Sequence, residues 1–287
     1  MKSTAVVPAL ILAFGFGVPS AAQDKPTVAI IGTGNLAGVL GPALGQQGYA
    51  VVYGSREPER DSVRALVARS GSRAAASSLR EAAARAGIIV LAVPGDVLEE
   101  VSGKLGELNG KVIIDVSGGR KRVAADGYLE LVPDSANAER MQARYPTARV
   151  VRINLPLNAM VVFAQPRLLG VPPTVLIASN HPGAREVVAG MVFDLGLEPW
   201  DAGPLRFARV FDAINVMGLI PAQQGRMESY ELKLIPSVPL SCFLNMSDLF
   251  GFGRPYDLDA LPTFPRRDPP VSCDEWQRRA GLGEPGR

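Results

Sequence analysis

Histidine is almost missing from this sequence: His181 is the single one in 287 residues. Two cysteines occur, Cys242 and Cys273, neither in a CxxC or other metal-ligand spacing, so a zinc site is not expected. Lysine is scarce as well. Beyond Lys121 only Lys233 remains, and no Tyr-x-x-x-Lys pair exists, so the proton donors of ordinary carbonyl reduction are thinly provided. His181 itself sits in "SNHPG", read as a surface or capping residue ahead of a helix. Charge of one sign is lacking too: the formal net charge is +2, and the sole basic block is "GRKR" at 119–122. That balance excludes nucleic acid as the main partner. No internal apolar run is long enough to cross a bilayer.

What the chain does have begins with "MKSTAVVPALILAFGFGVPSAAQDKP". Lys2 provides a short positive start, residues 5–18 an apolar stretch, and Ser20-Ala21-Ala22 small residues before Gln23. That layout predicts a secretory signal peptide over residues 1–22 and a periplasmic or secreted protein without a membrane span after cleavage. A misassigned start codon would instead make the protein cytoplasmic. In an exported chain the even cysteine pair favours a disulfide closing the tail, with two unrelated thiols as the other reading.

Past the leader the sequence alternates. "TVAIIG" (27–32), "YAVVYGS" (49–55), "GIIVLAV" (87–93), "KVIIDVS" (111–117) and "ARVVRIN" (148–154) read as apolar strands. Helical or loop segments separate them; "REPERDSVRALVARSG" is read as a helix with Pro58 in its first turn. The alternation predicts βαβ units and a parallel sheet covered on both faces. "TVLIAS" (174–179) adds a strand. "PGAREVVAGMVFDLGL" adds a helix burying Val187, Val188, Met191, Val192 and Leu195. "EPWDAGPL" is read as a turn into a last helix with Phe207, Phe211 and Ile214 on one face. The expected organisation is an α/β, Rossmann-like, doubly wound domain over 26–153 and a smaller C-terminal α/β region over 154–225. A proline-rich irregular tail fills 226–287.

Between the first strand and helix lies Gly32-Thr33-Gly34-Asn35-Leu36-Ala37, a GxGxxA turn. Gly32 permits the tight turn, Gly34 lets a pyrophosphate approach the backbone, and the small Ala37 lets helix and strand pack closely. The helix N-terminus offers N–H groups to phosphate. Where a cofactor with a free ribose 2′-hydroxyl is held by an acid, this chain places Ser55-Arg56, with Arg60 four residues on. A carboxylate would repel a 2′-phosphate; guanidinium pairs with it. NADP(H) is therefore the expected cofactor, although Glu57 and Glu59 stand close enough in sequence to neutralise the arginines.

The stretches "IIGTGNLAGVLGPALGQQGYAVVYGSREPE", "IIVLAVP" and "KVIIDVS" resemble the N-terminal domain of NADP oxidoreductases that use the deazaflavin coenzyme. That domain also forms the NADPH-binding part of six-transmembrane metalloreductases and is related to pyrroline-5-carboxylate reductase. "LGLEPWDAGPLRFARVFD" (195–212) is similar to a later segment of the same family. The resemblance implies a Rossmann domain with NADPH across the strand ends, a deazaflavin or flavin as co-substrate, and a homodimer as a common assembly. Carried over by position, Thr33 to Leu36 contact the pyrophosphate, and Ser55, Arg56 and Arg60 the 2′-phosphate. Ala92, Val93 and Pro94 line the wall near the adenosine and nicotinamide. Ser117 and Asn154 fall where the substrate is lined. Ser117-Gly118-Gly119-Arg120 departs from the family, which has Asn-Pro after that strand.

A flavin-type acceptor can take its proton from solvent, so the first functional reading is NADPH-dependent hydride transfer to a deazaflavin, flavin or other small acceptor. The alternative is an exported NADP(H)-binding sensor or assembly protein without turnover. Asp201 and Arg209 are read as tying the last strand to the last helix.

Overall fold

The computed structural model describes residues 25–132, 136–155, 163, 170–226, 232–234 and 278. The expected leader, the cysteine pair and nearly all of the tail lie outside them. The first unit runs β1 (Val28–Ile31), α1 (Asn35–Gln46), β2 (Val51–Gly54), α2 (Asp61–Arg69), β3 (Ala75–Ser77) and α3 (Leu79–Arg85). It continues through β4 (Ile88–Leu91), α4 (Leu98–Ser102) and β5 (Val112–Asp115). A small hairpin, β6 (Lys121–Val123) and β7 (Leu129–Leu131), precedes α5 (Asn137–Arg144) and β8 (Arg149–Ile153). The chain then forms β9 (Thr174–Ala178), α6 (Pro182–Asp194), β10 (Glu198–Gly203), a 3₁₀ turn at Leu205–Phe207 and α7 (Ala208–Gln223).

Eight strands form one sheet in the order β10-β9-β8-β5-β4-β1-β2-β3. From β8 to β3 every pairing is parallel. The fold is thus the expected Rossmann-like α/β sheet, and its order reverses at β1/β4, where such sheets open a ligand crevice. Side chains of successive strand residues leave the sheet on opposite faces. Val28 and Ile30 accordingly pack with α1, α2 and α6, while Ala29 and Ile31 pack with α3, α4, α5 and the start of α7. Both faces are covered, which explains why β1, β2, β4 and β5 are wholly buried.

Four expectations need correction. The sheet is not parallel throughout: β9 pairs antiparallel to β8, and β10 follows β9. "EPWDAG" is not a turn but the edge strand β10, whose Pro199 an edge tolerates because no further strand needs its missing N–H. The second helix starts at Asp61, so Pro58 lies in a preceding turn in which the Arg60 N–H donates to Glu57 O at 3.2 Å. Val187 and Phe207 are exposed by 41% and 40%; they sit on outer faces, and Val188 and Phe211 take the buried ones.

No helix among the described residues is long and apolar enough to cross a membrane.

Candidate nucleotide site

The turn after β1 is built around Gly32. Its φ of +115° is a conformation L side chains rarely adopt, and a Cβ there would lie 2.5 Å from the Ala92 carbonyl oxygen. The tight turn thus brings the end of β1 against the end of β4. At Gly34, by contrast, an added Cβ would meet nothing within 4 Å, so the backbone opens onto the crevice. Ala37 is fully buried, as close helix–strand packing requires. The first intrahelical bond of α1 runs from Gly38 N–H to Gly34 O at 2.9 Å. The N–H groups of Asn35, Leu36 and Ala37 come before it and so have no intrahelical acceptor.

The crevice holds about 330 Å³. Gly32, Thr33 and Gly34 form its floor, Ser55, Arg56 and Arg60 its β2 end, and Ala92, Val93 and Pro94 its β4 wall. Nine of the expected cofactor residues therefore converge here, and Asn35 and Leu36 adjoin them at the head of α1. Ser55 is buried, and its Oγ accepts the Glu57 N–H at 3.1 Å, which fixes the turn that carries Arg56 outward. Arg60 Nε donates to Ser62 Oγ at 2.9 Å. Neither Arg56 nor Arg60 is ion-paired to Glu57 or Glu59 among the described residues; Glu59 faces Arg64 at 3.9 Å instead. Glu100 also lines the mouth. Lys104 Nζ donates to it at 2.6 Å and, with a smaller contribution from Arg56, holds its carboxyl below the usual range.

Two weaker expectations fail. Ser117 and Asn154 line neither this crevice nor the larger cavity beside it. Asn154 is 5% exposed; its Oδ1 accepts the Leu176 N–H at 2.6 Å, tying β8 to β9. Ser117 donates to Asp115 Oδ1 at 2.6 Å and accepts from Asn137 at 2.8 Å. Both side chains are spent on internal hydrogen bonds. Asp201 and Arg209 do not pair with each other. Asp201 holds Arg185 of α6 at 3.0 Å, and Arg209 holds Glu139 of α5 at 2.7 Å.

A buried ionic network beneath the C-terminal ends of β5 and β8 was not foreseen. Arg152 and Asp115 are register partners, 1% and 0% exposed. Arg152 donates to the Asp115 carbonyl at 3.2 Å and to Asp212 Oδ1 of α7 at 2.8 Å. Asp212 Oδ1 also accepts the Gly119 N–H at 2.9 Å. Asp115 Oδ2 has no hydrogen-bond partner, and burial pushes that carboxyl up despite the nearby guanidinium. The signal was present: "KVIIDVS" and "ARVVRIN" each carry one opposite charge inside an apolar strand. The network anchors the 117–119 loop, whose Gly118 and Gly119 line the larger cavity beside the crevice.

A glycine turn under a helix N-terminus, at the order reversal of a parallel sheet, defines a dinucleotide-binding α/β protein. The sequence comparisons agree and go one step further. Residues 27–119, which carry β1 to β5 and the crevice, match the family described as NADP oxidoreductase, coenzyme F420-dependent. Metalloreductase STEAP3 of Rattus norvegicus is 29% identical over 200 residues, which is 70% of this chain but only 38% of the relative. Among solved structures, a candidate F420-dependent NADP-reductase from Arthrobacter sp. FB24 superposes with a TM-score of 0.65 at 21% identity, covering 74% of this chain and all of that one. A reductive aminase from Aspergillus terreus, solved in complex with NADPH and ethyl-5-oxohexanoate, reaches 0.52 at 15% identity, covering 70% and 63%. At such identities the structural likeness establishes the shared fold.

Proposed function

We propose that the protein is an NADP(H)-dependent oxidoreductase that passes hydride from NADPH to a flavin-type or other small acceptor. The observation that carries this reading is the β2 end of the crevice. There Ser55, Arg56 and Arg60 stand where a carboxylate would select the unphosphorylated nucleotide, and neither guanidinium is ion-paired among the described residues. The glycine turn fits the cofactor: Gly34 leaves the cradle open, and the first-turn N–H groups of α1, which have no intrahelical acceptor, are available to a pyrophosphate. When bound, the dihydronicotinamide supplies the hydride.

The chain's own part is binding and orientation. Arg56 and Arg60 fix one end of the nucleotide, the first turn of α1 its middle, and Ala92 to Pro94 guide the other end past β4. A flavin or deazaflavin acceptor takes its proton from solvent, which suits a chain whose histidine lies away from the crevice. The test is NADPH oxidation by purified protein with flavin, deazaflavin and ferric acceptors, followed by loss of dihydronicotinamide absorbance. Turnover with at least one acceptor, and much slower turnover with NADH, is the expected result. Tight NADPH binding without oxidation by any acceptor would instead support a binding protein without turnover.

A further inference from the structure

Beside the nucleotide crevice lies a second and larger cavity of about 720 Å³, lodged between α4 and α5 over the 117–121 loop. The two share Pro94, so an acceptor in the second cavity borders the β4 end of the first. The lining of the larger one is strongly basic: Arg120, Lys121, Arg140 and Arg144, against the exposed Asp96 and Glu99 at its edge. The one basic block in the sequence, "GRKR", thus turns out to face a cavity.

Lys121 is the telling member. It is half-buried, and among the described residues it makes no hydrogen bond or ion pair. Burial depresses its pKa, although the Asp212 carboxylate works in the opposite direction. Its position depends on the glycine pair that distinguishes this loop. A Cβ on Gly118 would lie 2.3 Å from Lys121 Nζ, and one on Gly119 would lie 2.6 Å from Asp212 Oδ2. Both glycines are therefore needed for the ammonium to settle over the loop and for Asp212 to hold the loop from behind. Arg140 is hydrogen-bonded to Asn137, whose amide donates to Gly118 O at 3.1 Å, so this guanidinium is fixed to the same loop. Arg144 lies over the Tyr145 ring at 5.9 Å. Keeping a lysine half-buried without a direct ion-pair partner is unfavourable, and an anion entering the cavity lowers that cost.

We propose that this cavity is an anion subsite for the hydride acceptor, in which Lys121, with Arg144, takes a phosphate or carboxylate on a molecule whose ring reaches Pro94. The inference deepens the oxidoreductase reading and rests on it. It narrows the acceptor class to molecules with an anionic tail, and it makes Lys121 a substrate-binding residue.

Riboflavin and flavin mononucleotide are suitable probes, because they share one ring system and differ by a single phosphate. Their dissociation constants are measured by flavin fluorescence with the full chain and saturating NADP⁺, which fills the nucleotide crevice. The mononucleotide is expected to bind about tenfold more tightly than riboflavin, as befits a charge-assisted contact. Lys121→Met and, separately, Arg144→Gln should shrink that gap while leaving riboflavin and NADPH affinities unchanged; the NADPH value also reports that each variant is folded. Equal affinity of the two flavins for the unmodified protein would overturn the proposal, and so would a gap that survives Lys121→Met. A gap abolished by Arg56→Ala would equally overturn it, by assigning the phosphate to the nucleotide crevice. Failure of NADPH itself to bind would count against the oxidoreductase reading, and the flavin comparison reads out independently of it.

Discussion

Replacing Arg56 by alanine tests the cofactor assignment most directly. A hydrogen bond to a charged group contributes about 1.5–3 kcal/mol. Arg56 is exposed at the crevice mouth, and exposed charges are weakened by water and salt, so the expected loss lies near the lower figure, about 1.5 kcal/mol. That is about tenfold in the dissociation constant for NADPH. NADH has no 2′-phosphate for the guanidinium to meet, and its affinity should not change. Folding should not change either, because Arg56 makes no hydrogen bond among the described residues. The assay is a titration of dihydronicotinamide fluorescence with both nucleotides, repeated at low and high ionic strength. The preference for NADPH should narrow as salt rises, since the Debye length falls from about 10 Å at 0.1 M to about 3 Å at 1 M. An equal loss for both nucleotides would refute the reasoning, because Arg56 would then be shaping the crevice and not reading the phosphate.

The other predictions concern the frame around the crevice. Arg152→Met leaves Asp115 and Asp212 buried without their shared guanidinium and should cost about 3–5 kcal/mol of stability in urea unfolding; a loss under about 1 kcal/mol would show that the network is not held by charge. Glu139 yields a pH signature. Burial pushes its carboxyl up, but hydrogen bonds from Arg209 and the Ala136 N–H outweigh this and hold it below its ordinary 4.5. The ion pair therefore contributes fully above that value and is lost as pH falls through the lower, folded-state value. Glu139→Gln should accordingly lower stability at neutral pH and leave it unchanged in strong acid; a loss that is the same at every pH would contradict the ion-pair account.

Five of the six strands of the parallel core were readable because both faces of their sheet are covered, which leaves unbroken runs of β-branched and aliphatic residues. β3 was not, since "AAS" carries no such run, and it forms only by pairing with β2. Helix α3 had a signal in Ser78 and Glu81, whose side chain and backbone bond reciprocally at 3.2 and 3.3 Å, but its alanine-rich body lacks apolar periodicity. The direction of β9 was hidden for a different reason: antiparallel and parallel strands buried on both faces have the same composition. For the site, the glycine turn and the arginines could be named from spacing alone. The basic cavity could not, because α4, α5 and the 118–121 loop meet only in three dimensions. Ser117 and Asn154 were placed by resemblance, and spacing does not reveal the partners that hold them, the Asp115 and Asn137 side chains for Ser117 and the Leu176 N–H for Asn154.

The reversal at β9 has a consequence for where chemistry can reside. Ala178, the last residue of that strand, is paired with Arg152, and Ser179 reaches back to the Val150 carbonyl. The chain passes that level running rearward, so His181, three residues on, lies at most about 10 Å behind it by strand rise. A protein built this way turns its one imidazole away from the edge where the glycine turn sits, and His181 does not line the crevice. From the β9–β10 extension, α7 returns forward with Asp212, which accepts the Gly119 N–H at 2.9 Å.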